Sequence, residues 1–176
     1  SMLKNRYIDL IEQTFYFPRH GFNVVDNELS FHDVPLMELI EKYGTPLKLT
    51  YLPKISSQIQ KAKRLFNEAI EKHGYAGTYQ YCYCTKSSHF SFVMNEALKN
   101  DIHLETSSDF DIHIIRDLHK KGKYSNDRYI VCNGYKTPEY VQNMVNLVEE
   151  GFTNLIAVLD NPEEINQYAA FNTPMN

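Results

Sequence analysis

The run "YCYCTKSSHF", residues 81–90, closes a strand-like segment on a lysine, then adds two serines and a histidine. On a strand, Cys82, Cys84 and Lys86 share one face while Tyr81, Tyr83 and Thr85 share the other. An ammonium above two small thiols leaves room for a bound group. An apolar floor also lowers its proton affinity, as a nucleophilic or Schiff-base amine requires. A plain surface lysine at a helix start fits the same letters, although the helix dipole disfavours a cation there. "HLETSSDFD" adds Glu105, which shares parity with His103 and Ser107 and in one register faces the same rim. There it could pair with the lysine or with a cofactor cation; the alternative is a carboxylate that fixes the next loop or caps its helix. "CNGYK" adds the amide of Asn133 and, at Gly134, a backbone free to take positive φ or a close approach. His89, one turn past Lys86, could stack its ring on a planar group at this rim.

These residues need parallel strands to bring them together, and the pattern supplies them. Strand-like runs begin at 79, 102, 129 and 154, a repeat of about 25 residues, with amphipathic helices between them. Ile55 to Ile70 has helical spacing and stops at Gly74. Ser108 with Asp111 reads as a shortened capping box, Thr137-Pro138 as a cap with proline at N1, and Asn161-Pro162 as one more helix start. "VPLMELIEKYG", residues 34–44, reads as a short helix, and "TPLKLTYL", residues 45–52, as a strand; the rest of 1–45 has no regular pattern.

Consecutive βα units close either as a doubly wound sheet or as a (β/α)8 barrel. No GxGxxG or GxxxxGK[ST] follows the first strand, which favours the barrel. A barrel takes about 250 residues, so this chain supplies roughly half of one. The expected fold is α/β: parallel (β/α) units forming about half of a TIM-type barrel, preceded by an N-terminal helix and strand. Residues 1–53 form the lead-in and 54–176 the half-barrel.

Composition narrows the function classes. The 176 residues carry a net charge of −4, with 43% hydrophobic and 23% charged residues, so no basic field invites nucleic acid or anionic membrane. No apolar run approaches the roughly 20 residues that span a bilayer. Ser1-Met2 reads as a scar ahead of a native start. The three cysteines form no CxxC pair and read as core thiols in a reducing compartment, which makes the cytoplasm the expected location. The seven histidines include no HExxH, and no metal site is expected.

Read together, the strand ends resemble those of the fold-type III pyridoxal-phosphate decarboxylases, which have an alanine racemase-like barrel. "YCYCTKSSHF" resembles their Y-x-x-K-x-N strand, with "TKSS" in place of the commoner "VKAN" or "IKVN". "YGTPLKLTYLPKI" is similar to their "GTPLYVYD" lead-in, and "LETSSDFDI" to "FDVxSxGEL", with Asp111 standing at the glutamate of "GEL". "VCNGYKTPEYV" looks most like the "CNGYKDREYI" of biosynthetic arginine decarboxylases. The resemblance covers about residues 33–159.

It implies that Lys86 holds pyridoxal 5'-phosphate as an internal aldimine and that Glu105 lies near the cofactor. Ser107, His89 and Asn133 are expected as further cofactor contacts from their places at the same rim. It implies decarboxylation of a basic amino acid, arginine to agmatine for polyamines, by a homodimer or higher oligomer. The family's strand at 45–52 belongs to its β-domain. Its glycine-rich phosphate loops and C-terminal β-domain have no counterpart here, so an N-terminal piece of a longer protein is expected. The competing expectations are a non-catalytic relative of the barrel, or a binding half-barrel that needs a second chain.

Overall fold

The computed structural model describes residues 21–85, 91–171 and 174, and the chain divides into two compact units, Ser1–Thr50 and Tyr51–Asn176. In the first, β1 (Phe22–Val25), β2 (Glu28–Phe31) and β3 (Val34–Pro35) form an antiparallel sheet in chain order, followed by helix α1 (Leu36–Tyr43). Val25 pairs with Glu28 and Phe31 with Val34, so each connection is a two-residue turn. Both central residues of each turn have positive φ: Asp26 and Asn27 at 50° and 64°, His32 and Asp33 at 46° and 65°. That geometry suits the twist of a tight hairpin, and Asp and Asn tolerate it better than most side chains. The sequence pattern predicts no strand here. Each strand supplies too few residues to show a period of two, and neither turn contains glycine.

The strand expected at 45–52 does not form. The segment has no ladder in either sheet, and a strand exists only with a neighbour to exchange hydrogen bonds. Leu49 and Tyr51 remain exposed, so its alternation buries no face.

The second unit begins with helix α2 (Pro53–His73), which stops where Gly74 takes a left-handed φ of 61°. Then β4 (Cys82–Cys84), α3 (Ser91–Ala97), β5 (His103–Thr106), α4 (Asp109–Lys120), β6 (Ile130–Cys132), α5 (Pro138–Glu149) and β7 (Leu155–Ala157) alternate. A 3-10 helix, Pro162–Gln167, follows where a further helix is expected. All four strands are parallel and ordered β4-β5-β6-β7, without the reversal that marks a doubly wound sheet. The architecture is α/β and consistent with part of an α/β barrel. No helix among the described residues is long and apolar enough to cross a membrane.

Parity divides the sheet as the sequence pattern predicts. Leu104, Ile130 and Leu155 lie in one register row and are fully buried against Ile112 and Ile115 of α4 and Val141 and Met144 of α5. Tyr81 and Tyr83 pack against the same core. The adjacent row is Cys84, Glu105, Val131 and Ile156, on the face away from that core, and none of the four is fully buried. Thr137 caps α5, its hydroxyl oxygen accepting from the Tyr140 amide at 3.1 Å, with Pro138 at N1 as expected.

The N-terminal ends of the strands carry a closed polar network. The His103 Nδ1 accepts from the Tyr129 amide at 3.0 Å, so Nε2 holds the proton and donates to Gln80 Oε1 at 2.7 Å. Burial, then the nearby Arg128 charge, holds the His103 imidazole below its usual pKa. The Tyr124 hydroxyl accepts from the Leu104 amide at 2.9 Å and donates to the Tyr129 carbonyl at 2.5 Å. Burial pushes that phenol well above its ordinary range. Arg128 Nη1 joins Asp101 Oδ1 at 2.6 Å and the Ile102 carbonyl at 2.9 Å.

Candidate functional site

The C-terminal ends of β4, β5, β6 and β7 form a crest stitched one residue past the strands. The Thr85 amide and hydroxyl both donate to the Glu105 carbonyl at 2.9 Å. The Asn133 amide reaches the Thr106 carbonyl at 2.8 Å, and the Val158 amide the Cys132 carbonyl at 2.9 Å. Gly134 has φ of +80°, and a Cβ there would stand 2.8 Å from the Ser107 carbonyl oxygen. Only glycine lets the loop after β6 press against the loop after β5. This is the close approach predicted from "CNGYK".

Glu105 sits half-buried beside Cys84 and Val131 in register. Its carboxylate forms no hydrogen bond among the described residues, and its charge helps raise the Cys82 thiol, after burial and ahead of Cys84. Ser107 is exposed, but both its donors turn inward: its amide and hydroxyl reach Asp111 Oδ2 at 3.0 and 3.3 Å. The capping box expected between Ser108 and Asp111 is therefore shifted. Ser108 is extended and makes no side-chain cap, while the buried Asp111 carboxylate secures Ser107 instead. Asn133 is half-buried; its side-chain oxygen accepts from the Gly134 amide at 2.8 Å, which bends the loop.

Beneath the crest, on the helix side, lies a second polar layer. Thr106 Oγ1 and the Tyr140 hydroxyl are 2.7 Å apart, and the fully buried Cys132 is pushed up to about 11 by burial. Lys136 is buried to 1% exposure. Its ammonium donates to the Gly134 carbonyl at 2.5 Å and the Val158 carbonyl at 2.8 Å, with Glu164 Oε2 at 4.0 Å. It stands 5.8 Å from the centre of the Tyr140 ring. The 3-10 helix closes over this lysine, Gln167 Nε2 donating to its carbonyl at 3.1 Å. The buried Tyr168 hydroxyl has no hydrogen-bond partner among the described residues.

The structure thus brings Glu105, Ser107 and Asn133 to one crest. Lys86 and His89 lie outside the described residues. Sequence reasoning noted Lys136 only as a letter of "NGYK" and assigned it no task. A buried lysine looks like a surface one in sequence, and the positive φ at Gly134 resets the alternation that would have turned it inward. Asp111 carried a signal, its place three residues into the helix, but that signal pointed to the wrong serine.

No family model matches the chain. Among curated proteins it is similar to a biosynthetic arginine decarboxylase of Prochlorococcus marinus (strain MIT 9303), 25% identical over 139 residues, 74% of this chain and 21% of that protein. The biosynthetic arginine decarboxylase of Tolumonas auensis is 28% identical over 152 residues, 76% of this chain and 23% of its own length. Arabidopsis thaliana arginine decarboxylase 1, chloroplastic, is 25% identical over 169 residues, 89% of this chain and 23% of its own. The chain spans about a fifth of the length of the curated relatives it matches, and it is related to them at low identity over most of its own.

Proposed function

We propose that this chain is an arginine decarboxylase-like region and that its sheet crest is one wall of a pyridoxal-phosphate site. The observation that carries the reading is Glu105, a half-buried carboxylate with no hydrogen bond among the described residues, at the C-terminal end of a parallel strand. Leaving such a charge without a hydrogen bond costs stability, and its position is where α/β barrels do their chemistry. The donor set fits the cofactor in kind: a carboxylate beside it at Glu105 and an amide at Asn133. Ser107 would contribute through its exposed edge. Lys86 would be its covalent anchor, as the resemblance implies, and His89, one turn further along the chain, a ring against it.

When bound, the cofactor would accept the electron pair left on the α-carbon as carbon dioxide departs. The chain's own residues would hold and orient it and keep water from the reacting carbon. The two outer edges of the four-stranded sheet, along β4 and β7, favour completion of the barrel by further sequence or by a second chain. A cytoplasmic homodimer or higher oligomer, acting on a basic amino acid with arginine preferred, is the corresponding whole-protein proposal. The second reading, a half-barrel that only binds another chain, rests on those same edges.

Borohydride reduction of the intact gene product with pyridoxal phosphate, followed by peptide mapping, is expected to leave the label on Lys86. Label elsewhere, or none, removes the catalytic assignment and leaves the binding reading. Release of carbon dioxide from arginine, compared with ornithine, lysine and diaminopimelate, then fixes the substrate.

A further inference from the structure

A lysine two residues past Asn133 invites a role as a cation that touches the bound ligand. Its burial rules that out, since the side chain has no exposure and all its described contacts are internal. What it holds is more informative. An ammonium has three donors and is costly to bury without partners. Two of the three go to main-chain carbonyls of different strand ends, Gly134 after β6 and Val158 after β7. The third side of the ammonium meets the Glu164 carboxylate and the Tyr140 ring face. Gly134 in turn rests on the Ser107 carbonyl after β5. One buried charge therefore gathers the ends of β6 and β7, and through Gly134 it reaches β5.

We propose that Lys136 is a positioning residue for the crest: it sets the separation of the β6 and β7 ends and so the placement of Asn133 toward the bound group. The assignment rests on the reading of the crest as a ligand site only for what is bound, not for the clamp itself. A neutral side chain of similar length would fill the slot but would leave two carbonyls without a donor, and the loops after β6 and β7 would part. Glu164 and Gln167 tie the 3-10 helix to the same lysine, so loss of the ammonium also loosens the cover over it.

The test uses the intact gene product with two variants, Lys136→Met and Lys136→Ala, read by amide hydrogen exchange. Met144→Ala, which opens a cavity in α5 away from the crest, is the comparator for simple loss of stability. Both Lys136 variants are expected to speed exchange about tenfold or more at residues 133–136 and 158–160, while Leu104 and Ile115 change little. The atoms lost beyond Cβ in Lys136→Ala correspond to propylammonium, and adding it is expected to slow the crest amides again. Tetramethylammonium, with no N–H to donate, is expected to do nothing. Pyridoxal-phosphate affinity should fall and recover in step, whereas in Met144→Ala it should hold at temperatures where the chain is folded.

Uniform acceleration of all amides, with no rescue, makes Lys136 an ordinary core group and overturns the proposal. Unchanged crest exchange overturns it too, as does failure of both variants to fold. If the wild-type protein takes up no pyridoxal phosphate, the functional reading falls, yet the exchange and rescue measurements still decide the clamp.

Discussion

The two ends of the parallel sheet spend their polar groups in opposite ways. At the N-terminal end, His103, Tyr124, Arg128 and Asp101 are tied by hydrogen bonds, and the tautomer of the imidazole is fixed from both sides. At the C-terminal end, Ser107 is exposed, and among the described residues neither the Glu105 carboxylate nor the buried Tyr168 hydroxyl has a hydrogen-bond partner. The order that exists there is built from below, by Asp111 on Ser107 and by Lys136 on Gly134 and Val158. One end satisfies itself while the other is held open by its supports. On the proposed reading of the crest, the contrast matches the division between a stability face and a working face in α/β barrels.

Substitutions at the two ends should therefore separate stability from ligand uptake. The largest loss of stability is expected for Tyr124→Phe, which removes two buried hydrogen bonds and leaves the Leu104 amide and the Tyr129 carbonyl only their long mutual bond of 3.3 Å. About 3 kcal/mol should disappear from the urea unfolding curve, with cofactor uptake per folded molecule unchanged. Reduced uptake would mean the two ends are coupled. Gly134→Ala comes next, at about 2 kcal/mol, because its φ of +80° and the 2.8 Å approach to the Ser107 oxygen both resist a Cβ. Unlike the tyrosine, it should abolish uptake, since it drives the loops after β5 and β6 apart.

A smaller effect, visible in pH, belongs to His103. Its folded pKa lies below the unfolded value of 6.5, so below about that pH the unfolded chain takes up a proton that the native chain resists. Stability is full above pH 6.5, falls as the pH drops through that value, and levels off once the pH is below the folded pKa. His103→Gln should flatten this limb in unfolding curves taken from pH 7.5 to 5. Glu105→Gln closes the series: it alters a half-buried carboxylate with no hydrogen-bonded partner among the described residues, so stability should move by less than about 1 kcal/mol in either direction. Retention of pyridoxal phosphate, followed by equilibrium dialysis, should nonetheless weaken. A large destabilisation by Glu105→Gln would show that the crest is structural after all.

How far these contrasts can be read in the sequence depends on periodicity. The βα units were legible because Val141, Met144 and Val145, or Ile114, Ile115 and Leu118, repeat at helical spacing between punctuating Gly, Pro and Thr residues, although Phe110, which continues the second stripe by spacing, is exposed and Ile112 is buried in its stead. The alternation of faces was legible too, since parity sets Glu105 opposite Leu104 and Thr106, but which face turned to the helices was left open and is given by the burial of Leu104 and Thr106. The strands are shorter than their apolar runs suggest: of residues 79–85 only Cys82–Cys84 joins a ladder. Pairing needs a neighbour as well as a propensity, and the same reason undoes the strand expected at 45–52. The hairpins of residues 22–35 were hidden by turns made from Asp-Asn and His-Asp. Lys136 was hidden differently, because no pattern in a loop tells a buried ammonium from a solvated one.

The cysteines turn this geometry into a practical handle. Cys132 is sealed in the helix-side layer and pushed up to about 11, and Cys82 is half-buried and raised by burial and by Glu105. Cys84 alone of the three is exposed, and it is the register partner of Glu105. A maleimide dye at neutral pH would thus select Cys84 without any engineering. The native chain carries its own attachment point for a fluorophore, one strand away from the carboxylate whose partner most needs to be found.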